Sequence, residues 1–133
     1  MGHRLEDFTS NDPADGDYLA DVEIHFGCQL PKPYRRFMSN QDGGEGFVGN
    51  QYLILWRAAE LVVFNHEYES EKYALGLLLF GSNGGGEAFA FDTRNDSMQI
   101  VMVPFVGMSL KDATFIADTF DNFLSRIADG KLA

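Results

Sequence analysis

The sequence predicts an α+β fold: a mainly antiparallel, curved β-sheet with flanking N-terminal and C-terminal helices. Three observations carry this expectation. Residues 74–80, Ala-Leu-Gly-Leu-Leu-Leu-Phe, form a near-continuous apolar run, as a strand covered on both faces does. Residues 87–93, Glu-Ala-Phe-Ala-Phe-Asp-Thr, alternate instead, with Phe89 and Phe91 on one side and Ala88 and Ala90 on the other. Gly81–Gly86, four of its six residues glycine, joins the two as a loop between central antiparallel strands. Third, apolar residues recur at helical spacing near both ends of the chain.

Taken in order, residues 1–11 are polar and expected to be a flexible N-terminus, and residues 12–133 a single domain. Asp12 reads as an N-cap and Pro13 as the first residue of a helix, with Asp15, Asp17 and Asp21 at the positive end of its dipole. Leu19, Val22 and Phe26 give it one apolar face, and Gly27 stops it. Leu30-Pro31-Lys32-Pro33 then breaks the chain. Tyr34, Phe37 and Met38 predict a short second helix, ended by the turn Asn40–Gly44. Gly46–Trp56 predicts one strand, with Tyr52, Ile54 and Trp56 on one side and Leu53 and Leu55 on the other. Arg57–Asn65 reads as another short helix with Ala58, Leu61, Val62 and Asn65 on one stripe, and His66–Lys72 as an acidic surface connection. After the central pair, the turn Arg94–Ser97 leads to a third strand, Met98–Phe105, where Pro104 marks an end or an edge position. Phe115, Ile116, Phe120, Phe123, Leu124 and Ile127 predict a C-terminal helix closed by Gly130. It starts either at Ser109–Asp112, which has capping-box spacing, or near Asp118.

Composition bounds the function. The chain has 133 residues, enough to bury a core unaided, and its hydrophobic content of 45% argues against disorder. The formal net charge is −10, from 20 acids and 10 bases. That balance argues against nucleic acid, whose phosphates need clustered Lys and Arg, and against an anionic membrane surface. It favours a basic protein partner, though acids also serve solubility alone. One cysteine, Cys28, excludes an internal disulfide and fits a reducing compartment. No apolar window has the length of a membrane span, and the opening residues carry no secretory segment, so a soluble, cytoplasmic protein is expected.

The chemical motifs resolve into turns and surfaces. The glycine loop lacks the lysine and following helix of a phosphate cradle; Glu87 and a strand stand there instead. His66, Glu67, Glu69 and Glu71 lack the spacing of a zinc helix, and Asp92, Asn95 and Asp96 read as a turn, so no metal or cofactor is expected. Cys28 and His25 are three apart, but Gly27 falls between them, and a structural thiol is the simpler reading. Lys32, Arg35 and Arg36 form the one basic cluster and read as a solvated helix face. Trp56, the sole tryptophan, reads as a core anchor, with a partner hot spot as the alternative.

Three phrases in this order resemble the SUKH superfamily, the Smi/Knr-type proteins. They are Leu30-Pro-Lys-Pro-Tyr-Arg-Arg-Phe-Met followed by Gly43-Gly44, then Gly81-Ser-Asn-Gly-Gly-Gly-Glu-Ala-Phe-Ala-Phe-Asp92, then Ile116-Ala-Asp-Thr-Phe-Asp-Asn-Phe-Leu124. Thr119 stands where serine is usual. The resemblance runs from about Asp21 to Leu124 and implies the same α+β fold. It implies no common catalytic residues: Gly43, Gly44, Gly84, Gly86, Asp92 and Phe120 match fold-defining positions. Many bacterial members are immunity proteins that block a toxin domain, often a nuclease; fungal relatives are interaction modules. The resemblance therefore implies a non-enzymatic binder of a cognate toxin or other basic protein, with a regulatory or scaffold module as the alternative. Glu67, Glu69 and Glu71, then Asp15 and Asp17, with Trp56, are the nominated partner contacts.

Overall fold

The apolar run and the alternating run pair as β4 (Leu77–Ser82) and β5 (Glu87–Asp92), antiparallel neighbours in the sheet. The structure, a computed structural model, describes residues 7–131. Within them seven strands follow one another in sequence order in a single antiparallel sheet with β4 at its middle. The others are β1 (Phe8–Ser10), β2 (Gly44–Val48), β3 (Gln51–Leu55), β6 (Ile100–Pro104) and β7 (Thr114–Ala117). The helices are α1 (Tyr18–Phe26), α2 (Lys32–Asn40), α3 (Leu61–Glu67), α4 (Ser70–Tyr73) and α5 (Phe120–Ala128), so the architecture is α+β.

One face of the central strands is aromatic. Phe80 stacks on Phe91 at 4.5 Å, Phe89 meets Phe123 of α5 at 4.9 Å, and Tyr34 of α2 meets Phe91 at 5.0 Å and Phe120 at 5.2 Å. Tilted and edge-on pairs of this kind add roughly 0.5–1.5 kcal/mol each beyond the area they bury. They hold α2 and α5 against the sheet, which is why those helices carry aromatic residues on one side only.

Several boundaries differ from the sequence expectation or are decided between its alternatives, and His66–Lys72, expected as a surface connection, carries the end of α3 and most of α4. Residues 8–10, expected within a flexible terminus, form the edge strand β1; residues 1–6 lie outside the described residues. Glycine makes this strand possible. Gly44 and Gly46 lie opposite Ser10 and Phe8, and a side chain on either would collide with the β1 backbone. The single strand expected over Gly46–Trp56 is the hairpin β2–β3, turning at Gly49-Asn50. Helix α1 begins at Tyr18, not Pro13, because Asp17 is the cap: its carboxylate accepts from the Ala20 amide at 3.3 Å. Helix α5 takes the later start, with Thr119 accepting from the Asn122 amide at 3.1 Å, so Phe115 and Ile116 belong to β7. Gly27 and Gly130 stop α1 and α5 at positive φ.

The sheet has one internal gap, and a side chain fills it. β3 pairs with β4 at Ile54↔Ser82 and Leu55↔Gly81, and the Trp56 amide donates to the Phe80 carbonyl at 3.1 Å. The next residue, Arg57, turns away: its amide donates to Glu60 Oε1 at 2.9 Å and opens a 3₁₀ turn, Ala58–Glu60. Leu79 is thereby left with an unpaired amide and carbonyl in a fully buried strand. Asn65 of α3 supplies both partners. Its Oδ1 accepts from the Leu79 amide at 2.9 Å, and its Nδ2 donates to the Leu79 carbonyl at 2.9 Å. Nδ2 also donates to the Leu61 carbonyl, and Oδ1 accepts from the Ser70 hydroxyl, each at 2.8 Å. Every hydrogen-bonding position of the amide is used. Truncation strands two buried main-chain groups, each costing about 1–3 kcal/mol. Asn65→Ala is therefore expected to lower the unfolding free energy by about 2–4 kcal/mol in urea titrations, and Ser70→Ala by about 1 kcal/mol.

Candidate functional site

Helix α3 ends in a turn that carries two of the nominated residues, Glu67 and Glu69. The Tyr68 amide closes the helix on the Phe64 carbonyl at 2.9 Å. Glu69 follows in the left-handed conformation, φ 56°, and its carbonyl accepts the Lys72 and Tyr73 amides at 3.0 Å each, starting α4. Ser70 is fully buried and bonded to Asn65, so the turn is pinned from below. Glu67, Tyr68 and Glu69 are left exposed above it.

Under this turn lies an aromatic tier. The Tyr68 ring stacks on Trp56 at 6.0 Å with 11° between the planes, and it meets Phe105 at 4.4 Å. Trp56 meets Phe64 edge-on at 5.0 Å. Phe105 reaches the tier because its amide is held by the Gly86 carbonyl at 3.0 Å, just past the end of β6. Trp56 itself is only 7% exposed and is the floor of the tier, whereas Tyr68, 43% exposed, is its accessible surface. Sequence reading missed Tyr68 and Phe105. Tyr68 sits between two of the nominated acids and could have been found by its position. Phe105 joins only through the fold.

The other nominated acids lie apart from the tier. Glu71 of α4 pairs with His25 of α1 at 3.2 Å across an exposed contact. Asp15 accepts the Tyr18 hydroxyl at 2.9 Å, and Asp17 caps α1 while Arg35 lies 3.4 Å away. Asp17 and Glu71 thus link α1 to α2 and α4, while Asp15 bonds only the first residue of α1 itself. Within the basic cluster Arg35 is likewise engaged, since it also meets Glu23 at 3.3 Å.

The remaining motif residues have local structural jobs. A side chain at Gly43 would run into the Leu55 and Trp56 carbonyls, and one at Gly44 into the Thr9 carbonyl, and both glycines hold positive φ. Gly84 and Gly86 lie in the β4–β5 turn, where Asn83 Oδ1 accepts the Gly85 amide at 2.8 Å. Phe120 is buried between Tyr34 and Phe37. An open cleft of about 800 Å³ is lined by Glu23, Cys28, Lys32, Asn95, Asp96 and Met98, among others. Its Glu23 already accepts the Leu30 amide at 2.8 Å. The Cys28 thiol is pushed up from its ordinary pKa by burial, and further by Glu23, which disfavours thiolate. His25 meets Glu71 at 3.2 Å. Among the described residues no three His, Cys, Asp or Glu side chains are grouped to hold a metal, and no helix is long and apolar enough to cross a membrane.

The model of the SMI1 / KNR4 family (SUKH-1) matches residues 13–126, well over half of the chain. No curated protein matches it.

Asp92, at the end of β5, is nearly buried and forked by Arg94: Nε donates to Oδ1 at 2.9 Å and Nη2 to Oδ2 at 2.8 Å. These bonds hold its carboxyl below the usual range. A depressed native pKa gives stability that is present above the unfolded value, about 3.9, and lost as pH falls through the native one. Asp92→Asn is expected to cost about 1.5–3 kcal/mol near neutrality. The gap from wild type should close as unfolding is measured below about pH 4.

Proposed function

The chain belongs to the SMI1 / KNR4 family (SUKH-1), and from that premise we propose that it is a non-catalytic binding module. Its role in this reading is that of an immunity protein, which holds and blocks a cognate nuclease-type toxin domain in the cytoplasm. The observation that carries the reading is the exposed acidic turn Glu67–Glu69 beside an accessible aromatic side chain, in a chain of net charge −10. A nuclease cleft is basic because it binds phosphate. Carboxylates presented on a rigid turn occupy the same field and exclude the nucleic acid. Long-range attraction raises the association rate and makes it fall with salt, while buried aromatic contacts set the dissociation rate.

Co-expression with a toxin-bearing product of the neighbouring reading frame tests this. Restored growth, together with a complex whose affinity falls steeply between low and moderate salt, is the expected outcome. Unrescued growth while the protein accumulates in soluble form would overturn it. A salt-insensitive complex with a non-toxin partner would point instead to a regulatory or scaffold module.

A further inference from the structure

We propose that Tyr68 and Phe105, with the exposed Glu67 and Glu69 before and after Tyr68 in the chain and Trp56 behind, form a seat for an arginine side chain on the partner. This inference rests on the protein-binding reading above and names the chemistry its surface selects. Four observations converge. First, Tyr68 lies nearly parallel to Trp56 with ring centroids 6.0 Å apart, and the residue remains 43% exposed. Second, Phe105 stands against Tyr68 at 4.4 Å, and the residue after it, Val106, is 91% exposed, so the apolar surface continues outward. Third, the acids on either side of Tyr68 in the chain are exposed and only loosely engaged. The Glu69 carboxylate meets Lys72 at 3.8 Å with both side chains largely in water, a pair worth little and easily exchanged. Fourth, the turn is rigid, because Ser70 and Asn65 hold it from the buried side.

An aromatic face favours a cation above it, and guanidinium suits this better than ammonium. It is planar, stacks on rings, is weakly hydrated, and donates in a fork that a carboxylate can accept at its edge. Lysine presents a compact, strongly hydrated charge and gains less. The occupant is therefore an arginine-bearing segment of a basic protein. Nucleic acid is refused by the same carboxylates.

The sheet also supplies the reporter. Trp56 is the sole tryptophan, and Tyr68 lies on it, so an occupied seat changes its emission. The probes are a short peptide of alternating glycine and arginine and its lysine counterpart, titrated at low salt. The arginine peptide is expected to change Trp56 emission saturably, with the lysine peptide weaker by about threefold to tenfold. Tyr68→Ala should weaken the response by about tenfold. Glu69→Gly is the variant that keeps the fold: at φ 56° glycine is at least as well accommodated as glutamate, so the carboxylate is removed without added backbone strain. It should weaken the arginine response severalfold and flatten its salt dependence.

Emission that does not respond, equal responses to both peptides, or an undiminished response in folded Tyr68→Ala or Glu69→Gly would each overturn the seat. The growth assay separates the two readings. Rescue retained by both variants would place toxin binding elsewhere and remove the seat while leaving the immunity reading intact. Failure of the wild type to rescue, with the arginine response present, would remove the toxin and leave the seat.

Discussion

The Asn65 side chain is the constraint on which the rest of this structure depends. β3 and β4 stay in register for only two residues before the chain turns off at Arg57. A central strand cannot leave main-chain groups unpaired in a dry interior, since no water is at hand to replace the partner. Asn65 carries an amide of its own, the same donor and acceptor that a peptide unit would offer, and sets it opposite Leu79. α3 is thereby fixed to the sheet by hydrogen bonds of defined direction, and packing alone could not specify its position so closely. The consequence propagates along the chain. Ser70 shares the same amide oxygen, so the turn after α3 is tied to the middle of the sheet across its buried side. The exposed face of that turn inherits the rigidity of the core.

Much of the architecture was legible because the decisive elements are strongly patterned. Leu77–Phe80 and Ala88–Phe91 have the runs of buried strands, and Tyr34, Phe37 and Met38 have the spacing of a helix, so sheet and α2 could be read directly. What escaped had its signal removed by glycine or shared between two periods. In β2 the inward positions are Gly44, Gly46 and Val48, so the alternation carries little hydrophobic contrast, and the Gly49-Asn50 turn went unread as a hairpin. β1 is polar outside Phe8 and exists because those same glycines let its backbone approach. Phe115 and Ile116 fit a helical stripe as well as a strand, and the Thr119 cap decided between them. At the candidate site, the acids could be read because they are contiguous. The aromatic tier draws residues 56, 64, 68 and 105 from four separate elements or loops, and only the pairing of strands brings them together.

The acidic residues divide into two kinds that composition cannot distinguish. Asp17, Asp42, Glu23 and Asp92 accept main-chain amides or arginine at element ends, and their charge is spent inside the fold. Such groups add to net charge without adding to a docking surface, because their lone pairs already point at donors. Glu67 and Glu69 have no comparable main-chain donor on their carboxylates among the described residues. The −10 charge thus covers two structural settings: internal caps that hold helices in place, and a smaller set of carboxylates exposed at the surface.

Glu69 joins these two themes. A left-handed conformation costs a residue with a side chain roughly 1–2 kcal/mol, and glycine would ordinarily occupy such a position. Its side chain recovers little of that within the molecule: a 3.8 Å pair with Lys72 in water contributes less than the strain it accompanies. Folding alone therefore gives no reason for a glutamate at this point in the turn. The backbone there is held by the Lys72 and Tyr73 amides on its carbonyl and by Ser70 beneath, so the strain persists and the carboxylate is aimed outward at the end of a rigid support. The left-handed glutamate beside the half-exposed Tyr68 thus answers to no need of the fold's own stability.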